Sequence, residues 1–316
     1  MILNLIKIQT YEYYIKKIEL SQMISVWLRV IRVRFLLASV IAVSVGLALN
    51  WSQNGSIDLL DVVLTFAGVM ALHASVDLLN DFWDFKRGID TKTTRTKMSG
   101  GTGVLPEGLL KPSSVYRAGV VFLIIGSLIG SYFVITNGIL IAIILGFAVL
   151  SIYFYSTKIV DSGLGEFFVG VKGSMIVIGT FFIQSGEVNL ESVMAGIVVG
   201  TLSSLVLFIA SFPDHDADKS KGRKTLVIVV GKEKARKLFW FFPFIVYFVI
   251  LIGILFNLFP LLSLISLLSF PLVIKSGLGL QKNYNSVNDL VPFMSSSLKF
   301  SRITGILFVL SFLISI

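Results

Sequence analysis

The stretch Asn80-Asp81-Phe82-Trp83-Asp84-Phe85-Lys86-Arg87-Gly88-Ile89-Asp90 closes an apolar run that begins near Ile57 and is long enough to cross a bilayer. At about 100° per residue, Asp77, Asn80, Asp81 and Asp84 fall within an arc of roughly 100° of one helix. That face carries three carboxylates and an amide over roughly 10 Å of helix length. An ionised Asp at a helix centre in lipid costs about 2.5–3.5 kcal/mol. Such a face is tolerable only if it looks into a protein cavity holding water, metal or a cationic ligand. A second acidic stretch, Asp214-His215-Asp216-Ala217-Asp218, ends another apolar run. Two acidic clusters at the ends of two membrane helices predict paired metal sites facing each other.

The composition narrows the chemistry. The chain has 316 residues, 55% hydrophobic and 14% charged, and its mean hydropathy is +0.89. A soluble domain carries nearer to about 25% charge, so the chain reads as an all-α polytopic membrane protein. Zero cysteines removes thiolate nucleophiles, iron–sulfur clusters and cysteine-based zinc sites. With only His73 and His215 present, carboxylates remain as metal ligands, and oxygen ligands select hard ions such as Mg2+. The formal net charge of +9 reports membrane topology rather than nucleic-acid binding.

Apolar runs lie at about 30–50, 57–83, 116–136, 138–157, 164–185, 190–213, 237–257, 259–276 and 291–316, predicting nine transmembrane helices. All but Lys172 of the 27 lysines and arginines then fall on one side. By the positive-inside rule the N-terminus and both acidic motifs are cytoplasmic, in a multi-pass protein of the cell (plasma) membrane. Residues 1–25 form an N-terminal segment, in which Ile8, Tyr11, Ile15 and Ile18 share a helical face among Lys7, Lys16 and Lys17. That pattern suits a helix lying on the membrane surface. Residues 26–316 form one membrane domain.

Carboxylates facing carboxylates repel unless a cation sits between them, and Mg2+ usually keeps substrate phosphate oxygens among its ligands. Asp214 and Asp218, spaced i, i+4, can grip one ion from one helix face, whereas Asp216 points away. Lysines and arginines close to both motifs would hold the remaining phosphate charge. A diphosphate leaving group departs easily into such a site. Lys172 either contacts the diphosphate or snorkels to the interface. Glu166 either orients an acceptor or caps its span near the N-terminus. His73, one turn before Asp77, reads as a hydrogen-bonded interior histidine. Phe82, Trp83 and Phe85 read as interface anchors.

The pattern Asn80-Asp81-x-x-Asp84-x-x-x-Gly88-x-Asp90 resembles the first aspartate-rich motif of the UbiA superfamily of intramembrane prenyltransferases. Asp214-x-x-x-Asp218 resembles the second motif, and Gly222-Arg223-Lys224-Thr225-Leu226 with Gly231 resembles the segment directly C-terminal to that motif. Gly88 followed by Asp90, the stretch from Ser99 to Gly108, and Gly163-Leu164-Gly165-Glu166 are similar to the menaquinone branch. The resemblance implies transfer of a polyprenyl group from its diphosphate to an aromatic acceptor, 1,4-dihydroxy-2-naphthoate, in menaquinone-type quinone biosynthesis. It implies Mg2+ held by Asn80, Asp81, Asp84, Asp90, Asp214 and Asp218, with Asp84, Asp214 and Asp218 catalytic. It places Arg34, Asn80, Lys158, Lys172, Arg223 and Lys224 toward the diphosphate and Glu166 toward the acceptor. Val33 stands where the family has Pro, and Phe212-Pro213 replaces an Asn-rich entry to the second motif. Other acceptors (geranylgeranylglyceryl phosphate, 4-hydroxybenzoate, a haem or chlorophyll precursor) fit the same chemistry. A cation-coupled transporter is the alternative of another class, and the oligomeric state stays open.

Overall fold

The computed structural model describes residues 21–315, so the expected surface helix in residues 1–20 lies outside the described residues. Within them the chain is helical, and nine helical segments are long and apolar enough to cross a membrane. A short helix α1 covers residues 21–30. Next come α2 (Val33–Asn54), α3 (Leu59–Lys86), α4 (Pro112–Asn137), α5 (Ile139–Phe154), α6 (Gly165–Ser185) and α7 (Leu190–Ser220). After them come α8 (Leu226–Val230), α9 (Lys232–Leu238), α10 (Phe241–Leu255), α11 (Phe270–Asn283) and α12 (Val287–Ile314). The eighth span enters as a 3-10 stretch, Leu261–Ser269, behind Pro260.

Helix starts obey local chemistry. Asp58 accepts from the Asp61 N–H at the head of α3. Asn189 and Ser192 form a reciprocal capping box at the head of α7. Helix ends differ from the hydropathy reading. The 28 residues of α3 and 31 of α7 span about 42 and 46 Å, against a hydrocarbon core of about 30 Å. Asp81 and Asp84, like Asp214 to Asp218, therefore sit on continuing helix, while Asp90 lies on the loop behind α3. At the entry to α2 the chain turns through Arg32, which has a left-handed φ of 54°.

Lipid-facing apolar area drives no association between spans, so close packing and polar contacts must. Small residues let α6 and α7 meet: a Cβ added at Gly173 would lie 3.0 Å from Gly200 Cα, and one at Gly170 would lie 2.6 Å from Ser204 Oγ. The eighth and ninth spans are joined by buried hydroxyls, Ser263 to Ser311 at 2.9 Å, Ser269 to Thr304 at 2.7 Å and Ser276 to Ser297 at 2.5 Å. Each such bond contributes roughly 0.6 kcal/mol. Helix α7 lies innermost, with 61% of its apolar window buried against 17% in α4. It packs on α6, α10, α12 and α2. The C-terminal ends of α3, α5 and α7 and the starts of α2 and α6 gather at one end of the bundle, where the polar residues meet.

Candidate active site

Helices α3 and α7 bring the two acidic stretches to opposite walls of a cavity of about 290 Å³. From α3 come Asp77, Asn80 and Asp84, and from α7 come Asp214 and Asp218. Asn80 is held by the Ser156 hydroxyl (2.8 Å) and donates to Asp84 Oδ2 (3.0 Å). Arg223, just beyond α7, bridges the walls: it pairs with Asp84 and lies 3.2 Å from Asp218 Oδ1. Burial alone would push the Arg223 guanidinium down, but the Asp84 and Asp218 carboxylates outweigh it and hold it above its ordinary value. Arg87 staples the same end together, donating to the Ser156 carbonyl (2.7 Å), to Asp161 Oδ1 (2.9 Å) and to the Lys221 carbonyl (3.2 Å).

The glycine-rich stretch from Ser99 to Gly108 reaches the cavity through Ser99, Gly100 and Gly101. Its Gly100 N–H donates to Asp214 Oδ2 at 3.1 Å. Gly101, at φ +71°, lies so close to Asp90 that an added Cβ would fall 2.5 Å from Oδ2. Only glycine allows that approach. Burial, with the nearby Asp84 and Asp81 charges, pushes the Asp90 carboxyl up to about 8. The loop is pinned by Thr102, whose N–H and hydroxyl donate to Asp81 Oδ1 (3.1 Å) and Oδ2 (2.8 Å).

These contacts sort the expected site residues. Asn80, Asp84, Asp90, Asp214, Asp218, Glu166, Lys172 and Arg223 all line the cavity. Asp81 is wholly buried and spends its oxygens on Thr102, so it faces the loop rather than the cavity. Arg34 is exposed and outside the cavity, and Arg32 takes its place there, 3.5 Å from Asp81. Lys158 is exposed, with its ammonium 5.0 Å from the Phe154 ring centre. Lys224 is exposed as well, and only its backbone N–H is engaged, by the Val160 carbonyl at 3.2 Å. Glu166 is buried, and both its oxygens accept from the Leu226 N–H at 3.3 Å. It therefore caps the start of α8 across the bundle as well as lining the cavity. Asp216 is exposed beside His215, as its spacing implied. Arg32, Tyr155 and Thr102 escaped the sequence reading. Their signal is weak, because only the fold shows which arginine, tyrosine or threonine of a polar stretch turns inward.

No three carboxylates or histidines cluster closely enough to share one ion among the described residues. Buried carboxylate oxygens are nonetheless left without a hydrogen-bond partner, Asp90 Oδ2 beneath the loop and Asp214 Oδ1 on α7. Leaving such atoms unpaired costs about 1–3 kcal/mol each. They line the same cavity as Asp84 and Asp218, and as oxygen donors they suit a hard divalent cation whose remaining ligands come from a bound anion. Beyond the acids the α7 wall is apolar, through Val199, Leu202, Val206 and Ala210. The arrangement suits a molecule with an anionic head and an apolar tail.

Residues 39–298 match the model of the UbiA prenyltransferase family. The chain is 27% identical over 264 residues to a 1,4-dihydroxy-2-naphthoate octaprenyltransferase of Bacillus subtilis, covering 82% of this chain and 83% of that one. It is 27% identical over 299 residues to the enzyme of the same description in Escherichia coli, covering 92% and 95%. A solved UbiA homolog from Archaeoglobus fulgidus, bound to GPP and Mg2+, superposes with a TM-score of 0.59 at 16% identity, covering 90% of this chain and 99% of that one. By the match over most of its length and by its nine-span architecture, the chain belongs to the UbiA prenyltransferase family.

Proposed function

We propose that the protein transfers a polyprenyl group from its diphosphate to 1,4-dihydroxy-2-naphthoate, in menaquinone-type quinone biosynthesis, at the cytoplasmic face of the cell membrane. The observation that carries the reading is the meeting of Asp84 and Asp90 with Asp214 and Asp218 around one cavity, with unpaired oxygens on Asp90 and Asp214. Mg2+ held by these carboxylates and Asn80 would neutralise the charge that a diphosphate develops as it leaves. Arg223 and Arg32 supply fixed positive charge at the same place, and in a cavity shielded from water such charge is worth more than in solution. The apolar α7 wall takes the isoprenoid chain. The loop from Ser99 to Gly101 covers the head group and keeps water from the allylic carbon. The allylic C–O bond breaks, an electron-rich ring carbon of the acceptor takes the prenyl group, and the ring loses its carboxylate as CO2. The naphthoate enzymes of Bacillus subtilis and Escherichia coli support this choice of acceptor over others.

The test is an assay of protein purified in detergent with radiolabelled geranylgeranyl diphosphate, Mg2+ and a panel of acceptors. Labelled product with dihydroxynaphthoate, abolished by a chelator, is the expected result. Product with a hydroxybenzoate or a glyceryl phosphate instead would move the enzyme to another pathway. Neither product nor Mg2+-dependent diphosphate binding would overturn the proposal.

A further inference from the structure

A second polar group lines the same cavity, further along α3 from its acidic end. Ser39 on α2, His73 and Asp77 on α3 and Lys172 on α6 all line it. Asp77 stands seven residues before Asp84, about 10 Å further down the helix. The Ser39 hydroxyl lies 2.6 Å from His73 Nδ1 and fixes the imidazole ring. The other ring nitrogen then stops 3.7 Å from Asp77 Oδ2, beyond hydrogen-bond reach. Asp77 Oδ2 is buried with no hydrogen-bond partner. Lys172 has no carboxylate within ion-pair distance among the described residues.

Each of these groups is costly so far inside a membrane protein, and each is left incompletely paired. A cation and an unpaired acceptor oxygen facing one cavity match a ligand that offers an anion and a hydroxyl donor. The isoprenoid chain offers neither, and the apolar stripe of α7 already accommodates it. We infer that Lys172, Asp77 and His73 form the subsite for the acceptor, an aromatic ring bearing a carboxylate beside a hydroxyl. Lys172 pairs with the carboxylate, and Asp77 accepts from the hydroxyl while His73, held by Ser39, lies along the ring. The spacing from Asp77 to Asp84 seats a bicyclic ring between this subsite and the diphosphate-bearing end of the prenyl chain. The inference rests on the reading of the protein as a prenyltransferase for an aromatic hydroxycarboxylate. It separates Lys172 from the diphosphate ligands.

Binding of 1-hydroxy-2-naphthoate and of 1-naphthol, which lacks the carboxylate, is measured by equilibrium dialysis. The protein is loaded with Mg2+ and geranylgeranyl thiodiphosphate, and wild type is compared with Lys172→Met, Lys172→Gln and Asp77→Asn. Loss of a charge-assisted bond predicts that the Lys172 variants bind the hydroxynaphthoate at least about tenfold more weakly. They bind 1-naphthol as the wild type does. Asp77→Asn weakens both probes, and all three variants keep wild-type affinity for geranylgeranyl diphosphate. In turnover with dihydroxynaphthoate, Lys172→Gln raises the acceptor KM and leaves the prenyl diphosphate KM unchanged. Equal weakening of both probes by Lys172→Met, or loss of prenyl diphosphate affinity, overturns the subsite. If the wild type binds the diphosphate but neither probe, the aromatic-acceptor reading falls with it. If the wild type binds hydroxynaphthoate and the Lys172 variants bind it equally well, the subsite alone falls.

Discussion

Asp81 and Thr102 provide the sharpest test of how the site is built. Asp81 belongs to the aspartate-rich motif, yet both its oxygens accept from Thr102 and it does not line the cavity. If it anchors the loop rather than binding metal, Thr102→Val reproduces the defect of an Asp81 substitution. Valine keeps the N–H bond of 3.1 Å and removes the hydroxyl bond of 2.8 Å to a buried carboxylate. It also strips the Val104 N–H of its acceptor. A hydrogen bond to a charged group contributes about 1.5–3 kcal/mol, which is roughly a 10- to 150-fold shift in the docked population of the loop. Hydrogen–deuterium exchange over residues 99–104 reads that shift directly. Mg2+-dependent binding of geranylgeranyl diphosphate reads its consequence, because the undocked loop also releases the Gly100 bond to Asp214. Asp81→Ala, which also loses the Thr102 N–H bond and the Arg32 pair, lowers Mg2+ affinity at least as far as Thr102→Val does, and the double variant is no worse than Asp81→Ala alone. Unchanged exchange in Thr102→Val would refute the anchor. So would additive effects of the two substitutions, or an Asp81→Ala defect as deep as that of Asp84→Ala.

Other consequences are more direct. Asp84→Ala or Asp214→Ala removes several kcal/mol of charge stabilisation, so turnover falls by roughly a hundredfold or more while the protein remains folded and extractable. Alanine at Arg32 or Arg223 lowers turnover by about tenfold or more through lost charge-assisted contacts, whereas alanine at Arg34, Lys158 or Lys224 leaves most of it, a contrast that steady-state assay resolves. Gly200→Leu forces α6 and α7 apart, because an added Cβ would stand 3.1 Å from the Gly170 carbonyl carbon. Overpacking costs about 1–3 kcal/mol, read as a lower melting temperature in detergent. Glu107 accepts from Arg29, its carboxyl held below the ordinary 4.5 first by those hydrogen bonds and then by those from Arg95. A depressed carboxyl contributes stability that is complete above its unfolded value and lost as pH falls through its folded one. A spin label at Leu109 therefore gains mobility below about pH 4.5, and the gain shrinks in high salt, which weakens the exposed pair at every pH.

The coarse architecture was legible because it rests on repeated signals. Nine apolar runs separated by one-sided basic loops determine the span count, and a polar face that lipid cannot tolerate locates the cavity. Hydropathy ends α3 and α7 too early for a definite reason. It stops a span where polar residues begin, but those polar faces meet partner helices and a loop rather than lipid, so the helix continues. His73 and Asp77 were visible on the right face. Their relation to Lys172 was not, since it depends on how α6 crosses α3.

The three expected cations that miss the cavity share a physical cause. A periodicity argument places a side chain within an arc of about 100°, while a working site holds it within roughly 10–20°. Regular helix carries the smaller uncertainty along, which is why Asn80, Asp84, Asp214 and Asp218 arrived together. Arg34, Lys158 and Lys224 each come after a place where the period resets. Arg32 breaks the chain with φ 54°, so the arginine at the break turns inward and the one two residues on turns out. Tyr155–Ile159 forms a π turn, whose wider winding carries Lys158 away from the side that Tyr155 faces. Gly222 at φ +80° ends the α7 path, so Arg223 folds back onto Asp84 and Asp218 while Lys224 leaves the wall. In each case a local backbone irregularity selects one of two neighbouring positions, and at Arg32 and Arg223 the selected residue is a cation that points toward the carboxylates. An acid-lined cavity stabilises whichever cation the break presents to it, so the break and the charge must be read together.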